Sequence, residues 1–153
     1  MAINFNPVNT DDILTVFYQR LNKDPAFRGL VNSIDKGPKR VDGFKNPSAT
    51  IHVLSAPRDG ETDVVRATAT INIYVDDTDN GRANIAFLGQ CAERIQYLMH
   101  RADLKLHPEG AIEHPRLIFG DMIAGEALIL RSDIEGEHVA SINVNMIIRR
   151  RRN

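Results

Sequence analysis

The five histidines are the first residues whose chemistry could define a metal or acid–base site. Zinc ligands occur at short, characteristic spacings, and the spacings of these histidines match no such pattern. His107 and His114 share one loop and could converge on a metal ion, but two solvated loop histidines are the simpler interpretation. We therefore expect no metal site. The five positions are His52, His100, His107, His114 and His138.

Cys91 is the only cysteine, so no intrachain disulfide can form. A reactive thiolate needs an activating neighbour, and the adjacent Gln90 and Ala92 offer none, although a histidine distant in sequence could. Cys91 also lies on the apolar face of a predicted helix. We predict a buried, inert thiol, and a single cysteine fits a reducing compartment.

The acidic segment Asp76–Gly81 resembles the beginning of a calcium-binding loop, because carboxylates alternate before a glycine. An EF-hand requires a glutamate at its twelfth position, and Phe87 stands there instead, inside a predicted helix. We interpret the segment as a turn that leads into that helix. Its carboxylates would place negative charge at the positive end of the helix dipole.

The run Arg149–Arg152 is the most distinctive local feature. Such a run can bind phosphates by charge and counterion release, end in solvent, or contact an acidic patch on a protein partner. Nineteen basic and twenty acidic residues give a net charge of −1, whereas nucleic-acid-binding domains are typically basic. We therefore expect a protein partner or solvent before nucleic acid.

Enzyme signatures are missing from the sequence: it contains no Gly-x-Ser-x-Gly elbow, Walker A loop, His-Glu-x-x-His motif or Rossmann fingerprint. The isolated Gly120 and Gly125 are better explained as bends or bulges. We expect a structural, non-enzymatic protein with no catalytic residues and no cofactor.

Two amphipathic helices are predicted. The first begins near Thr10, which can cap it, and its apolar residues from Ile13 to Leu21 share one face. Pro25 ends it, and a short helical turn is expected around 26–31. The second helix spans about 83–101.

Alternating patterns predict the strands. The clearest alternation runs from Val65 to Val75 and from Ala140 to Ile148, with Asn, Thr and Ser on the opposite face. That polar face suits either another subunit or solvent. The predicted strands are 49–55, 63–76, around 116–119, 122–131 and 138–149.

The predicted fold class is α+β: an antiparallel or mixed sheet with two helices packed on one face, in the order α-β-β-α-β-β. A chain of 153 residues with 42% hydrophobic content can bury a core as one domain, 1–153, with a basic C-terminal extension at 149–153. With no signal peptide pattern and no apolar stretch near 20 residues, we expect no membrane association and a location in the cytoplasm or in a particle assembled there.

Three segments, taken in order, resemble the tail terminator (tail completion) proteins of tailed phages and related particles. They are the opening helix Asp11–Leu21, the strand Ala67–Val75 that leads into a helix containing Ala92–Leu98, and the closing strand Ala140–Ile148. The resemblance concerns chain length, the order of elements and the pattern of polar and apolar residues, and it covers most of the chain. It brings no diagnostic motif and no catalytic residues.

The resemblance implies a virion protein of the tail or neck. Members of that family form a hexameric ring that caps the tail tube, ends tube polymerisation and joins the tail to the head-proximal connector. The implied partners are other copies of the chain, the tail tube protein and the connector or stopper protein. DNA passes through the lumen of the ring without specific binding.

A ring needs two different complementary patches on each subunit, and exposed strand edges and long loops are natural contact elements. We predict contacts in the loop 35–48, at the hairpin tip 58–63, in the loop 104–115 and at the arginine run. The candidate contact residues are Lys36, Lys39, Arg40, Lys45, Arg58, Asp59, Glu61, His107, Glu109, Arg149, Arg150, Arg151 and Arg152.

Three alternatives stay open. One is another neck or head-completion protein. A second is a small nucleic-acid-binding module that uses the basic loop and the arginine run, although the chain has no Trp and no RNP-like aromatic strand. A third is an enzyme whose site is assembled from distant residues, which would require a deep apolar pocket with perturbed titratable groups.

Overall fold

The computed structural model describes residues 8–55 and 64–151, and these form one six-stranded sheet and three helices. The predicted α+β class is confirmed. In chain order the elements are α1 (Thr10–Lys23), α2 (Pro25–Arg28), β1 (Ser33–Lys36), β2 (Ser48–Ser55), β3 (Val64–Asp76), α3 (Ile85–Met99), β4 (Leu117–Ala124), β5 (Leu128–Arg131) and β6 (Glu137–Arg150).

The sheet has the strand order β1-β2-β3-β6-β4, and β5 also pairs with β6. Among these described strands the β1–β2 pair is parallel and the other four pairs are antiparallel. β4 and β5 follow one another along the same side of β6, opposite 144–150 and 138–141 respectively. The sheet therefore has β1 at one edge and the β4–β5 segment at the other.

One face of the sheet carries the core. The predicted alternation is confirmed, because Val65, Ala67, Ala69, Ile71, Ile73 and Val75 are all buried. They share one hydrophobic cluster with apolar residues of α1 and α3, such as Phe17 and Ile95. Burial of these side chains is the main source of stability. The opposite face, which we call the helix-free face, carries the polar half of the alternation.

The helix ends differ in detail from the sequence-based expectation. Asn9, not Thr10, caps α1, and its side chain accepts a hydrogen bond from the Asp11 amide at 2.9 Å. Asn84 caps α3, whose first turn contains no acidic residue. The segment Asp76–Gly81 does form a turn, as predicted, but the cap of α3 comes from Asn84 instead.

Two strands also differ. β1 is absent from the predicted strands, and its second half, Asp35 and Lys36, lies in the predicted loop 35–48. The predicted break near Gly120 is a bulge inside β4, where the register shifts before Ile123 and Asp121 adopts a φ of 49°. The true interruption falls at 125–127, between β4 and β5.

Candidate assembly surfaces

A ladder of polar side chains runs along the centre of the helix-free face. Thr68 Oγ1 donates to Asn145 Oδ1 at 2.7 Å, and Thr70 Oγ1 donates to Asn143 Oδ1 at 2.7 Å. One row further on, the Ser141 hydroxyl donates to Asn72 Oδ1. These bonds join β3 to β6 and leave the asparagine NH2 groups as donors. The centre of this face is therefore uncharged and internally hydrogen-bonded.

An apolar strip flanks this ladder on β4 and β5. In the sheet register Ile123 lies opposite Asn145 and Leu128 lies opposite Ser141, so the strip belongs to the helix-free face. Its four residues are between 42% and 59% exposed, and exposed apolar side chains aligned along one sheet edge are candidates for contact with a partner. The strip consists of Ile118, Ile123, Leu128 and Leu130.

The middle of the β4 edge is closed by the C-terminal end of α3 and the residues after it. The Asp103 carboxylate accepts from the amides of Asp121 (3.2 Å) and Met122 (3.1 Å), and the Met122 carbonyl accepts from the Arg101 amide at 2.7 Å. Gln96 Nε2 donates to the Gly125 carbonyl at 2.9 Å. Another chain cannot pair with this part of the edge without displacing these groups.

Arg40 is a predicted partner contact, and the structure places most of its side chain against other parts of the same chain. Its guanidinium forms a two-point ion pair with Glu137, Nη1 to Oε2 at 2.7 Å and Nη2 to Oε1 at 2.8 Å. The two side chains are only 10% and 2% exposed. The guanidinium also lies 3.9 Å from the Phe44 ring centroid and 3.8 Å from that of Tyr74. Because its charge is neutralised within the chain, we assign Arg40 a structural role.

The Glu137 carboxylate also accepts hydrogen bonds from two other side chains. Asn46 Nδ2 donates to it at 2.6 Å, and Ser132 Oγ donates to it at 2.5 Å. Burial acts to raise the pKa of Glu137, but the hydrogen bonds from Arg40, Asn46 and Ser132 hold its pKa below the ordinary value. Asn46 Nδ2 also donates to Asp76 Oδ1 at 2.7 Å. The loop 37–47 is therefore fastened to the end of the sheet.

The lysines of this region, unlike Arg40, lie at the surface. Lys36 donates to Thr15 Oγ1 at 3.1 Å and lies 5.6 Å from the Tyr18 ring centroid, so it leans on α1. Lys39 and Lys45 are exposed. The prediction that these lysines contact a partner stays a prediction.

His107 organises the loop 104–115: its side chain is half-buried and hydrogen-bonded, not fully solvated as expected. Its Nδ1 accepts from the Glu109 amide and from Arg20 Nη2, each at 3.0 Å, and its Nε2 donates to the Tyr97 carbonyl at 2.9 Å. In this pattern Nδ1 is the acceptor of the ring and Nε2 its donor. Arg20 extends the network by donating to the Gly110 carbonyl at 2.8 Å.

His114 is likewise engaged. Its side chain is 10% exposed, and its Nδ1 accepts from the Arg116 amide at 3.0 Å. Arg116 in turn pairs with Asp12 at 2.7 Å. Within residues 8–55 and 64–151, no group of three or more His, Cys, Asp or Glu side chains could hold a metal ion.

A groove of about 620 Å³ lies between the C-terminal half of α3 and the loop 104–115. Leu104 and Leu106 stand at its rim with 44% and 95% of their surface exposed. The His107 network fixes the loop that carries them. An exposed leucine on a fixed loop is well suited to contact a partner. The groove is lined by Gln96, Tyr97, His100, Arg101, Leu104, Leu106, His107, Pro108 and Ala124.

The arginine run begins inside the sheet. Arg149 and Arg150 are the last residues of β6, and Arg149 lies opposite Val64 and Ile118. The Arg151 amide donates to the Arg116 carbonyl and its Nε to the His114 carbonyl, both at 2.8 Å. The run is therefore anchored at least to Arg151, not a free end from Arg149 onward. Arg58, Asp59, Glu61 and Arg152 lie outside the described residues.

Cys91 is fully buried, as predicted, and burial raises the pKa of its thiol to about 11. The thiol therefore stays protonated at neutral pH. None of the helices in the described ranges combines the length and apolar character needed to cross a membrane.

Neither a protein-family model nor a curated protein matches the chain. Among solved structures, the fold is similar to that of a chain in the structure titled "Virion of native gene transfer agent (GTA) particle", with a TM-score of 0.63 and 14% sequence identity. The match covers 90% of this chain and 94% of the other. The two chains thus share one fold over nearly their full lengths.

Proposed function

We propose that this chain is a structural, non-enzymatic virion protein that forms a hexameric ring on the end of a phage-like tail tube. The ring ends tube polymerisation and joins the tail to the head-proximal connector. The observation that carries the proposal is the fold shared with a chain of the gene transfer agent virion, which spans nearly all of both chains. The same element order carries the resemblance to tail terminators.

The surfaces fit a subunit of an assembly. A ring is closed by heterologous contacts, so each subunit needs two different patches. The apolar strip with the β5 edge, and the groove beside Leu106, are two exposed features with different lining residues. Neither is needed to complete the core of the subunit, which is closed around α1, α3 and the opposite face of the sheet.

The charge distribution favours passage of DNA over binding of DNA. Several basic side chains are already paired within the chain: Arg40 with Glu137, Arg94 with Asp24, and Arg116 with Asp12. The polar ladder is uncharged. A nucleic-acid-binding module would instead present an unpaired basic stripe. This weakens the alternative built on the basic loop, because one of its four basic side chains, Arg40, is not available to phosphate.

The test is assembly of tail tubes from purified tube subunits with and without this chain, with tube length measured by electron microscopy. A terminator caps the tubes and narrows their length distribution, whereas a protein that acts only at the connector leaves tube growth unchanged. The double charge reversal Arg150→Glu/Arg151→Glu should abolish capping, since we propose that the arginine run faces a protein partner. Capping that survives this change would refute that role for the run.

A further inference from the structure

The two edges of the sheet are alike in length and in having one side without a strand neighbour among the described residues. Among the residues that the structure describes, β1 has β2 as its only strand neighbour and β5 has only β6. Both strands are four residues long. An unpaired strand edge offers backbone donors and acceptors to another strand.

The register places the two edge strands at the same level of the sheet. Following one row across the strands, Ile34 lies opposite Ala49, Ala49 opposite Ile73, Ile73 opposite Ala140, and Ala140 opposite Ile129. The adjacent rows lead in the same way from Ser33 to Leu130 and from Asp35 to Leu128. Three consecutive residues of β1 therefore lie level with three of β5.

The strand directions are also complementary. β1 runs parallel to β2, β2 antiparallel to β3, β3 antiparallel to β6, and β6 antiparallel to β5. It follows that β1 and β5 point in opposite directions. The β5 edge of one copy would meet the β1 edge of a second, identically oriented copy as an antiparallel pair, which two short strands can form readily.

On both edge strands, the residues that direct their backbone N–H and C=O groups away from the sheet lie in the same row. The Ser132 amide donates to the Glu137 carbonyl, so alternation directs the backbone groups of Leu130 and Leu128 to β6 and those of Ile129 outward. The Gly37 amide donates to the Ile51 carbonyl on the β2 side, so the same alternation directs the groups of Ile34 outward. The outward residues Ile34 and Ile129 occupy the same row.

We propose that β5 of one subunit pairs with β1 of the next, so that Ile34 and Ile129 form a hydrogen-bonded pair and the sheet continues from subunit to subunit. This deepens the proposed ring function and rests on it. The partner at each edge is a second copy of this chain. Leu128 and Leu130, which are 59% and 47% exposed in the single subunit, become covered beside Asp35 and Ser33 of the neighbour.

The level match has a geometric consequence. The contact is heterologous, because it joins two different edges, and such contacts generate either a ring or a helical filament. Because β1 and β5 lie at the same level of the sheet, successive subunits need no large shift along the strand direction. A small shift favours a closed ring over a helical filament.

A pair of cysteine substitutions tests the proposal directly. Ser33 and Leu130 would be directly opposite in a non-hydrogen-bonded pair, where Cα atoms are about 4.5 Å apart, a separation compatible with a disulfide. Within one subunit four strand spacings, about 19 Å in total, separate them, so a bond can form only between copies. Buried Cys91 does not compete. The variant Ser33→Cys/Leu130→Cys, oxidised on assembled tubes, should give a ladder of covalent oligomers.

The matched control is Ser33→Cys/Ile118→Cys. Ile118 is 45% exposed and belongs to the same apolar strip, but it lies opposite Arg149, far along the strand from the proposed pair. It should give no ladder. A second pair of variants, Ile129→Pro and Ile129→Ala, separates backbone from side chain, since both remove the same side chain and only proline removes the outward N–H. With both confirmed folded by circular dichroism, only Ile129→Pro should lose the ring.

The outcomes are distinct. A ladder of covalent oligomers in Ser33→Cys/Leu130→Cys, together with loss of rings in Ile129→Pro, supports strand pairing. If rings cap the tubes but Ser33→Cys/Leu130→Cys gives no covalent oligomers, or if rings form in Ile129→Pro, the pairing of β5 with β1 is overturned. The proposed function is then unaffected. Absence of any ring from the unmodified chain, alone or on tubes, overturns both.

Discussion

The guanidinium of Arg40 and the carboxylate of Glu137 form a buried two-point ion pair, with N–O distances of 2.7 and 2.8 Å, between residues that are 97 positions apart. The pair fastens the loop 37–47 to the beginning of β6. Since that loop closes one end of the helix-free face beside Tyr74, the pair fixes the border of a candidate assembly surface as well as the fold.

Replacing Arg40 by alanine should destabilise the protein by about 3 kcal/mol, because removing one partner leaves the other charge buried without compensation. Urea denaturation measures this difference in the free energy of unfolding. Arg40→Lys is the matched control: it keeps the charge but loses the two-point geometry and the stacking on Phe44 and Tyr74, so its loss should be smaller. A change below about 0.5 kcal/mol in Arg40→Ala, the range of ordinary surface substitutions, would show that the pair does not hold the loop.

Acid should destabilise the protein through Glu137 and Asp24. Hydrogen bonds from Arg94 lower the pKa of Asp24 against the effect of its burial, and the pKa of Glu137 is also lowered. A carboxyl group whose pKa is depressed by folding contributes stability above its unfolded pKa and loses that contribution as the pH falls through its folded pKa. The melting temperature should therefore be steady near neutral pH, and it should decrease once the pH drops below about 4.

The matched variant for this effect is Glu137→Gln, which removes one of the two titrating groups. It should be less stable at pH 7 but lose less stability between pH 7 and pH 3 than the unmodified chain does. Equal acid sensitivity in the two proteins would contradict the assignment of Glu137 as a group whose ionised form stabilises the fold.

Cys91 should be unreactive in the folded protein. Its side chain is fully buried and its thiol has a pKa of about 11, so the thiolate that reacts with disulfide reagents is both scarce and inaccessible. A colorimetric thiol assay should detect no free thiol in buffer and one thiol per chain in denaturant. Rapid labelling under native conditions would mean that α3 opens readily.

Leu106 should matter for assembly and not for folding. It is 95% exposed, so Leu106→Ser should change the free energy of unfolding by less than about 0.5 kcal/mol. If the groove beside it receives a partner, the same change should reduce the fraction of capped tubes. Lys105→Ser, at the neighbouring exposed position, provides the control and should leave capping unchanged. Equal effects of the two variants would remove Leu106 from the interface.

Local patterns predicted the elements well where each element carries its own signal. The apolar spacing in α1 and α3 and the alternation in β3 and β6 are properties of single segments, and the structure confirms all four elements. β1 was missed because Ser33–Lys36 is too short to show a period. Its parallel partner β2 begins at Ser48, and nothing in the chain signals that pairing.

The candidate surfaces were less predictable because they depend on contacts distant in sequence. Arg40 was indistinguishable from Lys39 in the sequence, yet Glu137, Phe44 and Tyr74 surround it in the fold. His107 resembled a solvated residue because its partner Arg20 lies on α1. The apolar strip carried a sequence signal, since Leu128 and Leu130 alternate beside a turn, but only the register shows that they face away from the helices.

The decisive measurement for a ring-forming tail protein is the mass of the purified protein across a range of concentrations, alone and with preformed tail tubes. We expect a closed ring of six subunits in solution, or a monomer that becomes such a ring only on tube ends. A chain that stays monomeric, ignores the tubes and instead binds DNA in a salt-dependent manner would contradict this expectation.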